Sequence, residues 1–397
     1  MEVFQVGGSV RDEIIGRTPK DKDWVVVNGS ERELLDAGFK RVGKNFPVFL
    51  HPITKEEYAL ARTEKKEGLG HTGFLTNASE DITLEEDLAR RDFTINAIAK
   101  DSSGRISDPF GGIKDLKRKT LRHITDAFRE DPLRVLRGAR FAATLGFKIA
   151  NETQALMVDM VGSGELKSLS VERVERELRL AVTGHHPSYF FRTLKECDAM
   201  SQLLPELDLP QLLNKNDPVF AALKTFEGQD DKREKQYRVF LTRAEDYGLE
   251  VNERDMRVTN LIRRLKVTKD TAVICRLYRD FHRQILDIMS FREQEVFDLF
   301  EKMDAFRRPE KLTSLLEIIE IPSKPPQLFN PTKHIVEFLN EALYETKQLT
   351  AKTFFSSQEV SREHHSVITS KLKHERIKVI EPIMLRYKKH PSLINKK

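Results

Sequence analysis

The first 27 residues constrain this chain more than any other stretch. In Val6-Gly7-Gly8-Ser9-Val10-Arg11-Asp12, a glycine pair stands between the strand-like run Val3 to Val6 and an S-x-x-D helix start at Ser9 to Asp12. Glycine lets a backbone approach a ligand without a Cβ in the way, and the N–H groups of a helix start suit a phosphate. Asp21-Lys22-Asp23 then opens the apolar run Trp24 to Val27. If the strand includes the acids, its period of two puts Asp21 and Asp23 on one face and Lys22 on the other. Two carboxylates on one face suit Mg²⁺, whereas an acidic pair standing alone at a strand start is ordinarily a solvated turn. Together the halves read as a phosphate cradle beside a metal clamp.

The combination of Gly-Gly-x-Val-Arg-Asp with D-x-D resembles the head signature of the polymerase-beta-like nucleotidyltransferases. Within them it is similar to the class II tRNA nucleotidyltransferases, or CCA-adding enzymes, and to their relatives the bacterial poly(A) polymerases. The resemblance implies an α+β fold: a head with a mixed sheet, followed by an all-helical neck, body and tail. Further segments extend it. Glu57 to Arg62 alternates as a strand with Glu57, Ala59 and Ala61 on one face, so Glu57 is a candidate third acid for the metal, or else a surface glutamate. In the family this strand precedes a mobile loop, here Lys65 to Asn77. The G-x-G-x-x-G within it, Gly68 to Gly73, follows no strand and opens no clear helix, so a dinucleotide site is not indicated.

Arg90-Arg91-Asp92-Phe93-Thr94-Ile95-Asn96-Ala97 matches a run quite specific to this branch. The resemblance implies that Arg91 holds the incoming triphosphate while Asp92 and Asn96 buttress the site; the plainer alternative pairs Arg90 and Arg91 with Glu86 and Asp87 on a solvated helix. Glu130-Asp131-Pro132 begins a helix by its chemistry, with Asp131 as cap and Pro132 at the first position. Asp131, Arg134, Arg137 and Arg140 then step by three along nearly one face. Three arginines there repel one another unless an anion neutralises them. The pattern resembles the E-D-x-x-R motif that reads the incoming base, which implies nucleotide-binding roles for Asp131, Arg134, Arg137 and Arg140, alongside Gly8, Arg11 and Arg91.

At 397 residues the chain has room for two or three domains. The expected divisions are a head at 1–125, a neck with the start of the body at 126–228, and a body and tail at 229–397. Strand-like runs (Val3 to Val6, Trp24 to Val27, Tyr58 to Ala61, part of Phe93 to Ala99) give way beyond Ala127 to helical periodicity. Asp108 to Gly112 reads as a turn, Gly228 to Lys235 as a charged loop, and Pro322, Pro325, Pro326 and Pro331 interrupt any helix there. No apolar run approaches the ~20 residues of a membrane span, and with Glu2 ahead of the first strand pattern a signal peptide is not expected. The cytoplasm is the expected location, with no membrane partner. Cys197 and Cys275 lack metal or disulfide spacing and read as small buried hydrophobes. The net charge of +5 is concentrated from Ser366 onward, where nine Lys and Arg face two Glu. That excess suits a polyanion such as RNA, or is a solvated basic tail.

The activity implied is untemplated completion of the 3′-terminal CCA of tRNA from CTP and ATP. Two Mg²⁺ ions on Asp21 and Asp23 would serve the attacking hydroxyl and the leaving pyrophosphate. Partial addition, poly(A) synthesis and a non-catalytic tRNA-binding role are the alternatives. Relatives often carry an HD phosphohydrolase domain, but none of the 11 histidines here precedes an aspartate. That activity is therefore expected to be absent.

Overall fold

The computed structural model describes residues 1–42, 48–66, 74–77, 81–226, 229–244, 251–321, 331–350 and 365–389. The described chain forms two compact units, Met1–Lys215 and Asn216–Lys397. The first contains a seven-stranded mixed sheet. Its strands are β1 (Glu2–Val6), β2 (Asp23–Val27), β3 (Lys40–Val42), β4 (Val48–Leu50), β5 (Glu57–Leu60), β8 (Ala99–Lys100) and β9 (Ile106–Ser107), in the order β3-β4-β5-β2-β1-β8-β9. Between them, β6 (Thr63–Lys66) and β7 (Phe74–Asn77) form a separate antiparallel hairpin. The expected loop therefore has strand arms, and its G-x-G-x-x-G lies outside the described residues.

The alternation within β2 sets the layers. Val25 and Val27 face one core with Val6, Leu88, Ala97 and Ala99, while Val26 faces another with Leu34 and Phe49, as period two requires. β1 and β2 are antiparallel with Val6 opposite Asp23, and β2 and β5 are parallel with Asp23 opposite Glu57. The end of β1 and the start of β2 therefore lie together at one end of the sheet's central strands.

Helix α1 (Gly8–Ile14) leaves β1 directly, and α2 (Glu31–Asp36) and α3 (Leu84–Ala89) pack on the sheet, each opened by a capping box, Ser30 with Glu33 and Thr83 with Glu86. The segment expected to be strand in part, Phe93 to Ala99, has a bridge from Phe93 to His123 and opens β8 at Ala99, with a 3-10 turn at Thr94–Asn96 between them. Helix α4 (Gly112–Arg118) holds this turn in place. Its first glycine is required, because a Cβ on Gly112 would lie 2.2 Å from the Thr94 carbonyl oxygen.

Beyond Ala127 the regular structure of the described residues is helical apart from Lys148–Ile149 (β11), which pairs in parallel with Thr120–Leu121 (β10). Helices α5 (Leu133–Leu145), α6 (Asn151–Gly162), α7 (Val171–Val182), α8 (Pro187–Glu196) and α9 (Met200–Leu203) complete the first unit. Leu136 and Ala139 of α5, Leu178 and Val182 of α7, and Phe190 and Leu194 of α8 are buried, which accounts for the periodicity in the sequence.

The second unit is helical throughout its described residues: α10 (Pro218–Lys224), α11 (Arg233–Ala244), α12 (Val251–Arg264), α13 (Lys269–Leu286), α14 (Glu293–Lys302), α15 (Pro309–Ile319), α16 (Pro331–Gln348) and α17 (His365–Lys388). Helix α11 takes up Arg233 to Lys235, which the charge pattern assigns to a loop. The last helix is not a solvated tail. It buries Ile380, Ile383 and Met384, and Lys373 pairs with Asp298 and Glu301 of α14 at 3.1 and 3.0 Å. No described helix is long and apolar enough to cross a membrane.

Candidate active site

At the end of the central strands where β1 ends and β2 begins, Gly7 turns the chain with φ +73°. Gly7, not Ser9, is the cap position of α1; the Ser9 hydroxyl donates back to the Val6 carbonyl. A side chain at Gly7 would meet the Arg91 guanidinium at 2.9 Å, so glycine serves both the left-handed turn and the close approach of that arginine. Asp23 is the first residue of β2, and Asp21 lies before it in a bend. They do not share a strand face as expected, yet both reach the same cleft.

That cleft has a volume of about 640 Å³, within the range of small-molecule sites. Its walls come from the glycine turn, the Arg90–Asn96 segment and the first turns of α5. One hydrogen-bonded chain runs across it. Arg11 Nη1 donates to Asn96 Oδ1 at 2.7 Å, Asn96 Nδ2 donates to Asp92 Oδ1 at 2.8 Å, and Arg137 Nε donates to Asp92 Oδ2 at 2.7 Å. The Phe141 ring lies among the guanidiniums of Arg11, Arg137 and Arg140, with centroid distances of 5.3, 5.4 and 3.8 Å, a range in which cation–π attraction operates.

The arginine stripe of α5 is neutralised from within the protein. Asp92 takes Arg137, and Glu177 of α7 takes Arg140 at 2.5 Å. Arg134 donates to the carbonyls of Ala127 and Arg90 at 2.8 and 2.5 Å. Repulsion along the stripe therefore does not by itself demand an external anion. The cap position of α5 is Pro132, not Asp131 as expected, but Asp131 stands just before it with its Oδ1 accepting from Leu133 N, the first residue of α5, at 3.0 Å, and its Oδ2 pairs with Arg173 at 2.9 Å.

Arg90 and Arg91 both pair with buried Asp87, at 2.5 and 3.1 Å, so the plainer alternative for this run holds for Asp87, while Glu86 belongs to the α3 cap. Arg91 nonetheless retains a donor: its Nε is buried without a hydrogen-bond partner. Such a group is costly unless a ligand or water completes it.

Charge sets the chemistry open to the cleft. Burial works to raise the Asp92 carboxyl, but the charge of Arg137 and the hydrogen bonds from Asn96 and Arg137 outweigh it and hold it at about 2. Loss of hydration raises the Asp23 carboxyl; Arg91 opposes this and Asp21 adds to it. Two neighbouring carboxylates, one of them poorly compensated, favour a cation between them. Among the described residues no group of three or more His, Cys, Asp or Glu is placed to hold a metal. Mg²⁺ commonly uses one or two carboxylates with water and substrate phosphates, so Asp21 and Asp23 fit it as a ligand pair completed by a nucleotide.

The cleft thus gathers Gly8, Arg11, Asp21, Asp23, Arg91, Asp131, Arg134, Arg137 and Arg140. Glu57 is not among its lining residues. It stands beside Asp23 across the parallel pair and is exposed, as Asp21 and Asp23 are, so its place next to the acid pair leaves it a candidate third acid. Sequence reasoning missed Arg173 and Glu177. Their spacing of four within α7 puts them on one helix face, a readable signal, but nothing in the sequence tells that this face meets α5.

Residues 3–122 match the poly A polymerase head domain, and residues 146–209 match the probable RNA and SrmB-binding site of polymerase A. Similar solved structures include a CCA-adding enzyme in apo form II, with 21% identity, a TM-score of 0.66, and coverage of 97% of this chain and 90% of that one. A Bacillus stearothermophilus CCA-adding enzyme in complex with CTP has 22% identity, TM-score 0.62, and coverage of 96% and 89%. A Thermotoga maritima CCA-adding enzyme complexed with tRNA-CCA has 21% identity, TM-score 0.59, and coverage of 97% and 90%. At such identities the likeness is one of fold, and it extends over nearly the whole chain.

Proposed function

We propose that this chain, whose head is that of the poly A polymerases and whose fold is that of the CCA-adding enzymes, completes the 3′-terminal CCA of tRNA from CTP and ATP without a template. The observation that carries this reading is the meeting, in one cleft, of the Asp21 and Asp23 carboxylates with an arginine-rich wall in which Arg91 Nε has no partner. In each addition the 3′-hydroxyl oxygen of the tRNA bonds to the α-phosphorus of the nucleotide. The bond from that phosphorus to the bridging oxygen breaks, pyrophosphate leaves with the electron pair, and the hydroxyl proton passes to solvent.

Mg²⁺ held by Asp21, Asp23 and the triphosphate supplies charge neutralisation and hydroxyl activation when bound. Arg91 and Arg11 hold the triphosphate by matching guanidinium to phosphate oxygens, beside the turn at Gly7 and Gly8. Arg137 and Arg140, fixed by Asp92 and Glu177, close the pocket around Phe141. Asp131 and Arg134 face the base: ionised aspartate accepts, arginine donates, and both are oriented by the bonds described above. Catalysis rests on positioning and charge stabilisation.

The second unit contributes RNA contact. With no His-Asp dipeptide in the sequence, it is assigned no phosphohydrolase role, and the protein acts in the cytoplasm. Incubating it with tRNA ending before CCA, Mg²⁺ and nucleotides tests the reading. CTP with ATP should extend the tRNA by three residues, releasing pyrophosphate, and CTP alone should stop after two. A product with C alone or A alone identifies a partial enzyme, a long A tract identifies a poly(A) polymerase, and no extension leaves a tRNA-binding protein.

A further inference from the structure

Helices α12 and α13 of the second unit enclose a smaller cleft of about 220 Å³, outside both segments matched to known domains. Thr259, Ile262 and Arg263 line it from α12, and Cys275, Arg276 and Arg279 from α13. The spacing puts each set on one helix face, so the facing surfaces of this helix pair carry three arginines where apolar residues would ordinarily meet. Residues 251 to 286 hold nine Lys and Arg against four Asp and Glu, and no acid is among the described residues that line the cleft. Arg279 is fixed in place, donating to Thr259 Oγ1 at 2.8 Å and pairing with Asp280 at 2.8 Å. Arg263 and Arg276 are exposed, and neither takes part in an ion pair or side-chain hydrogen bond with a described residue.

We infer that this cleft holds a phosphodiester of the tRNA backbone, an inference that rests on the proposed action on tRNA. The guanidinium fork matches phosphate oxygens, and a single anion relieves the mutual repulsion of the arginines. Among the described residues that line it, the cleft has no aromatic side chain on which a base would stack and no carboxylate for a metal. It therefore binds the backbone and not a base or a metal-bound nucleotide, positioning the RNA without reading its sequence.

The test uses the full chain with Arg263→Ala and Arg276→Ala combined, and with both positions changed to Lys. Affinity for tRNA lacking CCA is measured across a salt series, together with KM for tRNA and for CTP. The alanine pair should raise Kd and tRNA KM roughly tenfold and lower the slope of log K against log salt by about 0.7–0.9. CTP KM and the melting temperature should not change, and the lysine pair should restore most of the slope. An unchanged slope and Kd in the alanine pair, beside a wild type that adds CCA, overturns the cleft alone. A raised CTP KM with unchanged tRNA affinity, or a loss accompanied by a lowered melting temperature, also overturns it. A wild type that neither binds nor extends tRNA removes the functional reading itself, and this one with it.

Discussion

Asp92 joins the two sides of the cleft, since its carboxylate takes Arg137 on one oxygen and Asn96 on the other. Its folded value near 2 lies below the ordinary 3.8. The stabilisation is therefore complete above about pH 4 and is lost as pH falls toward 2, an effect of about 2 kcal/mol. Acid unfolding of Asp92→Asn should lack this component; a wild-type acid limb in that variant would contradict it. Asp131 carries the second prediction. Cytosine and adenine each present an amino donor beside a ring-nitrogen acceptor, and uracil and guanine present a carbonyl beside a ring N–H. An Asp and Arg pair complements the first two and leaves charged groups unpaired against the others, a mismatch polar sites reject by about 10⁴–10⁵. Asp131→Asn keeps an acceptor for Leu133 N–H while adding a donor. It should lower C and A incorporation together and raise relative use of UTP or GTP at least about tenfold; undiminished discrimination would return Asp131 to a structural role at the start of α5. Most of the site's residue types were legible because cradle, acid pair and arginine stripe each have a local pattern. Glu57 was legible only as far as its face, because strand alternation assigns a face and says nothing of where the cleft opens.

Among the elements, the Thr94–Asn96 turn determines where Asn96 and Asp92 stand, and α4 presses against it through Gly112. Gly112→Ala forces a Cβ to 2.2 Å from the Thr94 carbonyl, a backbone clash that must displace the turn. The expected cost is about 1–3 kcal/mol, seen as a fall in melting temperature of about 2–12 °C with reduced transfer; an unaltered melt would show that the turn moves freely. The turn itself is not legible in the sequence because Phe93, Ile95 and Ala97 alternate as strand residues do, and because the hydrogen bond of Thr94 Oγ1 to Asp115 at 2.8 Å, which helps fix the turn, spans 21 residues. Short-range pattern is blind to such contacts. The periodicities of α5 and α7, by contrast, reflect burial within each helix itself and were legible.

For the molecule as a whole, the basic segment after Ser366 is part of the second unit's core through Ile380, Ile383 and Met384. Deleting 366–397 removes three buried side chains worth about 1.5–3 kcal/mol each. It should lower the melting temperature by roughly 10 °C or more in addition to weakening RNA binding; an unchanged melt would restore the solvated tail. Charge counting located the segment, but whether its apolar face is covered depends on α14 and α16, far away in sequence. The central claim is that one cleft in the first unit, between the head and helices α5 and α7, performs untemplated addition through Asp21 and Asp23. The most direct measurement is single-turnover extension of CCA-lacking tRNA by Asp23→Asn, with tRNA affinity measured in parallel. Loss of a metal ligand worth several kcal/mol should cut transfer at least about a thousandfold while affinity stays close to wild type; transfer near the wild-type rate would contradict the account.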